Sequence, residues 1–108
     1  MSKECALAKR YIDSNYSQNI TLDSLAEITH INKFYLAHSF TECVGQSPIN
    51  YLTDRRLEAC KELLVSSNLS VAQVATSVGF SSQSYFSQIF RKKTGMTPRQ
   101  YRSRYARK

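Results

Sequence analysis

The sequence contains one pattern of helix signals twice, and this internal repeat constrains the fold more than any other feature. Residues 45–51 (GQSPINY) match residues 95–101 (GMTPRQY) at a spacing of 50. Further upstream the spacing falls to 49, so that residues 21–26 match residues 70–75. A change of one residue costs least in a turn between helices, which is where the spacing changes. The repeat therefore predicts two copies of a helix-turn-helix unit.

Local signals in the second copy predict where its helices begin and end. Gly79 can adopt a positive φ at low cost and so end one helix, and Ser81 or Ser82 can cap the next. Gly95 then ends that helix. A last helix follows, with Thr97 as its N-cap, a proline at its first position and a glutamine that completes a capping box.

The helix between Ser82 and Gly95 is predicted to have two different faces. Phe86, Ile89 and Phe90 recur at about 100° per residue and form an apolar stripe that suits a core. The opposite face carries polar side chains that donate or accept hydrogen bonds, namely Ser84, Ser87, Gln88 and Arg91. Such a face suits a helix that lies in the major groove of DNA.

The corresponding helix of the first copy is predicted to run from a cap at Asn32 to about Val44. Its inner side is formed by Leu36, Ser39, Phe40 and Cys43, and its outer side by Phe34, Ala37, His38 and Thr41. An exposed phenylalanine is unusual on a solvated surface. We therefore expect the Phe34 ring to contact a thymine methyl group or a sugar, the alternative being a place in a small satellite core.

Residues 48–66, between the two copies, predict a linker helix about 27 Å long. Its expected apolar side comprises Ile49, Leu52, Ala59, Leu63 and Leu64. Residues 3–15 predict a further helix that packs on the first copy. With only three Gly and two Pro in 108 residues, the sequence predicts an all-α fold of seven helices. The first helix-turn-helix lobe then comprises residues 1–47, the linker 48–66 and the second lobe 67–108.

The positive charge of the chain is concentrated in its second half. Residues 1–62 carry seven Lys or Arg and all eight acidic residues, whereas residues 63–108 carry eight Lys or Arg and no acidic residue. Of the net charge of +7, the first part thus contributes −1 and the second +8. A basic half indicates a polyanionic partner, and a merely solubilising basic tail is the alternative.

The sequence lacks the motifs of catalytic and metal sites. There is no Cys-x-x-Cys, no His-Glu-x-x-His and no glycine-rich phosphate loop. The three cysteines show no disulfide-framework spacing and are expected to be reduced, with Cys43 and Cys60 at apolar positions typical of a core. We therefore predict no enzyme activity, catalytic residue, cofactor or metal.

The sequence also lacks signals for a membrane. No apolar run approaches the roughly 18 residues that a membrane span needs. Residues 1–10 do not contain the apolar segment of a signal peptide. We expect a cytoplasmic protein without a membrane partner.

The second copy closely resembles the signature of the AraC family of bacterial transcription regulators. The matching residues are Gly79, Phe80, Ser81, Ser84, Tyr85, Phe86, Phe90, Arg91, Lys92, Gly95, Thr97, Pro98, Tyr101 and Arg102. The resemblance implies sequence-specific binding of double-stranded DNA by two recognition helices in successive major-groove segments. It also implies transcription regulation, with activation as the expected mode and RNA polymerase as a further candidate partner.

Most members of this family carry a separate effector-binding or dimerisation domain, which the 108 residues lack. A small stand-alone regulator and the C-terminal part of a longer one both fit the sequence. A different class of function, a helical module that binds a protein partner while its basic tail binds RNA or acidic surfaces, stays open as the alternative.

The outer faces and the helix caps give the candidate DNA contacts. Base-facing positions are predicted at Lys33, Phe34, Ala37, His38, Gln83, Ser84, Ser87 and Gln88. Phosphate contacts are predicted for Asn32, Thr41, Ser82, Arg91, Lys92 and Arg102, with a basic tail at Arg99, Arg104, Arg107 and Lys108. His38 and Gln88 stand where the family often has an arginine, and neither can form the guanidinium fork to guanine.

Overall fold

In a computed structural model, which describes residues 2–106, the chain folds into seven helices and no strand. The helices are α1 (Lys3–Asn15), α2 (Leu22–Thr29), α3 (Lys33–Val44), α4 (Pro48–Ser66), α5 (Val71–Ser77), α6 (Gln83–Thr94) and α7 (Pro98–Tyr105). The predicted all-α fold of seven helices is confirmed. Of the helices in this range, none combines the length and apolarity that a membrane span requires. The predicted tail residues Arg107 and Lys108 lie outside the described residues.

The chain divides into two compact units, Met1–Arg55 and Arg56–Lys108, and the division falls within α4. Each unit contains one copy of the repeat. The helix that the sequence analysis treated as a separate linker is thus shared, because its N-terminal part belongs to the first unit and its C-terminal part to the second.

The first unit is built around one buried apolar cluster. Helices α1 to α4 and the loop before α2 all contribute side chains to it: Cys5, Ala8, Ile12, Ile20, Leu25, Leu36, Phe40 and Leu52. The edge of Tyr51 contacts the ring of Phe40, with 5.7 Å between the ring centres. Burial of an aliphatic or aromatic side chain contributes about 1.5–3 kcal/mol, so this cluster provides the main stabilisation of the unit.

A polar contact joins α1 to α4 at the edge of this cluster. One carboxylate oxygen of Asp13 accepts hydrogen bonds from the Tyr51 hydroxyl and from Nε of Arg55, the latter at 3.0 Å. Burial, together with the neighbouring Asp13 carboxylate, raises the pKa of Tyr51 to about 12. The hydroxyl therefore remains a donor at neutral pH.

The second unit has a core dominated by aromatic rings. Phe86 packs against Phe80 at 5.2 Å and against Phe90 at 5.7 Å between ring centres. The edge of Tyr101 then meets Phe90 at 5.5 Å, which joins α7 to α6. Pairs at such distances contribute about 0.5–1.5 kcal/mol beyond their buried area, so the rings also fix the angle at which these helices meet.

The caps predicted at Ser82 and Thr97 are present, and caps of the same kind begin α2 and α5. Thr21 caps α2, Ser70 with Gln73 forms a capping box on α5, and Thr97 with Gln100 forms one on α7. Of the two serines proposed for α6, Ser82 is the cap, and its hydroxyl accepts from the Tyr85 backbone N–H at 3.2 Å. Each such cap stabilises its helix by about 1 kcal/mol.

The two copies of the repeat agree closely in structure. Residues 34–50 and 84–100 have the same pattern of buried, half-buried and exposed positions, residue for residue. The copies differ in the turn before the second helix, where His30 (φ 59°) and Gly79 (φ 104°) occupy matching positive-φ positions. The additional residue of the second copy follows Gly79, within the turn where the spacing changes.

The structure corrects two expectations about buried positions. Cys43, expected in the core, is exposed, although Cys60 is buried as predicted. On α4, Ile49 is exposed and Leu57 is buried. The prediction of one apolar side was wrong because α4 contributes residues to two units rather than to a single core.

The backbone at Gly79 gives a test of the turn. Gly79→Val should lower the free energy of unfolding by about 1–3 kcal/mol, because a β-branched residue is strained at a φ of 104°. The reverse change at the matching position, His30→Gly, should leave stability unchanged or raise it by up to about 1 kcal/mol. Urea unfolding monitored by circular dichroism measures both values. Equal stability of Gly79→Val and the parent chain would contradict the assignment of this turn.

Candidate nucleic-acid interface

Helix α6 combines a buried inner face with an exposed polar outer face. Phe86 and Phe90 are fully buried, and this fixes the rotation of the helix about its axis. The predicted positions Gln83, Ser84, Gln88, Arg91 and Lys92 are exposed, and Ser87 is half-buried. The chain thus brings the predicted contact residues of this unit together on one surface, which we call the α6 surface.

Helix α3 presents an equivalent surface in the first unit. Leu36 and Phe40 are fully buried, at the positions that match Phe86 and Phe90. The predicted residues Phe34, His38 and Thr41 are exposed, whereas Lys33 and Ala37 are half-buried. Together they form the α3 surface. Phe34 is 72% exposed, so the alternative of a satellite core is not realised.

The cap side chains of these two helices accept hydrogen bonds from backbone N–H groups of the same helices. The side-chain Oδ1 of Asn32 accepts from the backbone N–H of Phe34 at 2.8 Å and, more weakly, from that of Tyr35 at 3.4 Å. Ser82 plays the same part on α6. Their side-chain oxygens thus stabilise the helix starts, and the remaining backbone N–H groups there can meet an anion.

Several residues of the α3 surface have intramolecular partners. Lys33 forms an ion pair with Asp23 at 3.1 Å, and its ammonium group lies 5.5 Å from the centre of the Phe34 ring. Nε2 of His38 lies 3.0 Å from a carboxylate oxygen of Glu42, one turn later. Both pairs are exposed, and such pairs contribute little to stability. Breaking either pair so that its side chains could contact another molecule would therefore cost little free energy.

The two surfaces differ in charge at their C-terminal ends. The first carries Thr41, Glu42 and Cys43, and the matching positions of the second carry Arg91, Lys92 and Lys93. Basic side chains in the last turn of α6 also complement the negative end of its dipole. Positive charge is therefore concentrated at the end of α6 in the second unit.

Arg102 has a different environment from the other predicted phosphate contacts. Its Nε donates to the Leu64 carbonyl at 2.9 Å, and its terminal nitrogen approaches the Ser67 carbonyl at 3.5 Å. These bonds satisfy carbonyls at the end of α4 and join α7 to it. A phosphate contact at Arg102 stays a prediction, and any substitution there also removes these bonds.

Sequence reasoning omitted three exposed residues of these surfaces. Tyr35 and Tyr85 occupy matching positions and are 62% and 52% exposed, so each offers a ring and a hydroxyl beside the predicted base-facing residues. The two tyrosines match at the repeat spacing of 50, and this match was the sequence signal that could have identified them. Glu42 lies four residues after His38, and this i,i+4 spacing on a helix was the available signal.

Within the described part of the chain, no group of three or more His, Cys, Asp or Glu side chains is placed to hold a metal ion. Each unit presents one helix surface with hydrogen-bonding, aromatic and basic side chains.

Comparison with known proteins agrees with this arrangement. A family model described as a helix-turn-helix domain matches residues 25–104. The chain is 34% identical over 96 residues to the bifunctional transcriptional activator and DNA repair enzyme AdaA of Bacillus subtilis. The match covers 89% of this chain and 46% of AdaA, so the chain spans less than half the length of that relative.

Three solved structures show the same fold over almost the whole chain. The C-terminal domain of AraT, a response regulator from Geobacillus stearothermophilus, has a TM-score of 0.95 and 36% identity, with 99% of this chain and 89% of that one covered. A probable AraC family transcriptional regulator from Rhodopseudomonas palustris has a TM-score of 0.87 and 26% identity, with 98% and 100% covered. The DNA-binding domain of AdpA, solved with a target DNA, has a TM-score of 0.91 and 25% identity, with 96% and 94% covered.

The family match covers most of the chain and includes the motif between Gly79 and Arg102. The fold around that motif is shared with a probable AraC family regulator and with the DNA-binding domain of AdpA. The chain therefore belongs to the AraC-type helix-turn-helix family and contains the DNA-binding domain that is typical of AraC-type transcription regulators.

Proposed function

We propose that the chain binds one specific duplex sequence through both the α3 surface and the α6 surface, placed in successive major-groove segments. The observation that carries the proposal is the identical burial pattern of residues 34–50 and 84–100. Two helices that bury matching residues must expose matching faces. The groove-binding role supported by motif and charge for α6 therefore extends to α3.

The base contacts of the two surfaces differ in kind. On α6, Ser84, Ser87, Gln83 and Gln88 offer short hydroxyls and amides, and an amide can bind adenine in a bidentate manner. On α3, the exposed Phe34 ring supplies an apolar contact that suits a thymine methyl group. The two half-sites should therefore differ in sequence.

Glu42 positions His38 on the α3 surface. The carboxylate accepts a hydrogen bond from Nε2 of His38, and in the neutral ring Nδ1 is then left as an acceptor. An acceptor of this kind pairs with the amino group of adenine or cytosine in the major groove. The carboxylate also repels phosphate, which lowers the affinity of this surface for DNA of any sequence.

Phosphate contacts are proposed to come mainly from the second unit. Arg91 and Lys92 are exposed beside the base-facing residues of α6. The N-terminal backbone groups of α3 and α6, held in place by Asn32 and Ser82, add uncharged donors. We also propose that the protein regulates transcription, that activation is its mode, and that it contacts RNA polymerase.

The first test concerns the geometry of binding. Selection of bound sites from a random duplex pool, followed by hydroxyl-radical footprinting, should return a site with two protected segments about 10 bp apart on one face. Their sequences should be unequal. Protection of a single major-groove segment would show that one helix alone reads DNA. Failure to select any sequence would favour the alternative of a protein-binding module.

The second test separates affinity from specificity. Arg91→Ala and Lys92→Ala should weaken binding to selected and scrambled duplexes alike and reduce the salt dependence by about one unit of slope per lost phosphate contact. Phe34→Ala and His38→Ala should weaken binding to the selected site by about 1–3 kcal/mol each and leave the salt slope nearly unchanged. Salt titrations of each variant on both duplexes measure the difference.

Arg10→Ala is the matched control for these variants, because Arg10 is exposed on α1 and outside both surfaces. It should alter the salt slope by much less than Arg91→Ala. If the Phe34 and His38 variants weaken both duplexes equally, the first unit does not read bases, and the proposal of two reading helices is wrong.

The third test concerns Glu42. Glu42→Gln should raise the affinity for scrambled duplexes by about two- to tenfold, since it removes one negative charge close to phosphate. It should at the same time reduce discrimination between selected and scrambled sites, because the neutral amide oxygen is a weaker acceptor than the carboxylate and orients His38 less firmly. Glu27→Gln, an exposed residue on α2, is the charge-matched control. The same gain from both variants would mean that Glu42 acts through net charge alone.

A further inference from the structure

Two of the three thiols lie together where α1 packs against the C-terminal half of α3. The Cys5 thiol donates to the Ser39 carbonyl at 3.5 Å. Cys43 follows Ser39 by four residues and so lies on the same face of α3, one turn further along. The Cys43 side chain therefore lies beside the Cys5 thiol, and its proximity helps to raise the pKa of Cys5. The contact thus joins residues 38 positions apart in sequence, on two different helices.

The two thiols differ in their access to solvent. Cys5 is buried, with 1% of its surface exposed, whereas Cys43 is exposed. Burial, with the Cys43 thiol next to it, raises the pKa of Cys5, so that Cys5 stays protonated at neutral pH. A dissolved oxidant therefore meets Cys43 first, and Cys5 is the thiol held beside it. An exposed sulfur next to a resolving thiol is the arrangement found at redox-sensitive cysteines.

We propose that Cys5 and Cys43 form a reversible redox site at which a dissolved peroxide produces a disulfide between α1 and α3. The Cys43 thiolate attacks hydrogen peroxide, which breaks the O–O bond and yields a sulfenic acid at Cys43 and hydroxide. The Cys5 sulfur then displaces the sulfenic oxygen, which leaves as water with the Cys5 proton. Two thiols are oxidised by two electrons and one peroxide is reduced.

Reduction restores the original pair. Two molecules of a small thiol exchange with the disulfide, leave as their own disulfide and return both protons to the protein. Because the bond forms where the thiols are already in contact, α3 should keep its place on α1. The bond should therefore make the first unit more resistant to unfolding. This inference does not depend on the proposed DNA contacts.

The third cysteine provides an internal control. Cys60 is fully buried, and burial raises the pKa of its thiol to about 12. It has neither the exposure nor the thiolate character that reaction requires. In the folded, reduced chain, alkylation of Cys43 by N-ethylmaleimide should be at least about tenfold faster than alkylation of Cys60.

The test is peroxide treatment of the folded 108-residue chain at low protein concentration. Free thiols are then blocked by N-ethylmaleimide under denaturing conditions, and the peptides are mapped by mass spectrometry without reduction. We expect monomeric protein in which the Cys5 peptide is linked to the Cys43 peptide, with Cys60 alkylated. The oxidised chain should also unfold at a higher urea concentration, and dithiothreitol should reverse both changes.

Variants distinguish this site from general oxidation. Cys43→Ser changes an exposed position, so the chain should fold normally, and peroxide should form no intramolecular bond. Cys5→Ala should leave Cys43 as a sulfenic acid that dimedone traps. The proposal is overturned if Cys43 forms only intermolecular dimers while Cys5 remains alkylatable, or if Cys60 enters disulfides as readily as Cys5.

Discussion

Burial of two large side chains four residues apart orients helices α3 and α6, and the surfaces that these helices expose follow from that constraint. Leu36 and Phe40 in α3, like Phe86 and Phe90 in α6, are fully buried. A helix that must bury two residues one turn apart cannot rotate about its axis. The residues on its opposite side are therefore presented to solvent in a fixed arrangement before any partner arrives, so binding need not include the cost of ordering them.

The two units use this shared scaffold for different chemistry. The second unit combines exposed polar residues on α6 with a cluster of basic side chains at the end of that helix. The first unit places an exposed phenylalanine and a histidine–glutamate pair at the matching positions. In our proposal, attraction to phosphate comes mainly from one unit, and the other discriminates between bases without adding much affinity for DNA of any sequence. A duplicated fold can thereby supply affinity and specificity from separate copies.

Much of the architecture could be predicted from the sequence because its signals are local. The caps at Thr21, Ser70 and Thr97 depend on side chains that reach only three residues along the chain, and all three are present. The positive φ at Gly79 and Gly95 is likewise a property of a single residue. The buried residues Leu36 and Phe40 of α3 and Phe86 and Phe90 of α6 were predictable as well, because helical periodicity places each pair on one side of its helix.

What the sequence by itself determined is therefore the set of seven helices, the duplication and the pair of large side chains that α3 and α6 each bury. Tertiary structure alone decided the contacts between distant residues. It exposed Cys43 and placed the Cys5 thiol beside it, and it engaged Arg102 with the carbonyls at the end of α4. It also divided α4 between two cores, so that Leu57 is buried and Ile49 is not. Helical periodicity identifies which residues share a side of one helix, but whether a neighbouring helix covers that side depends on packing between elements far apart in sequence.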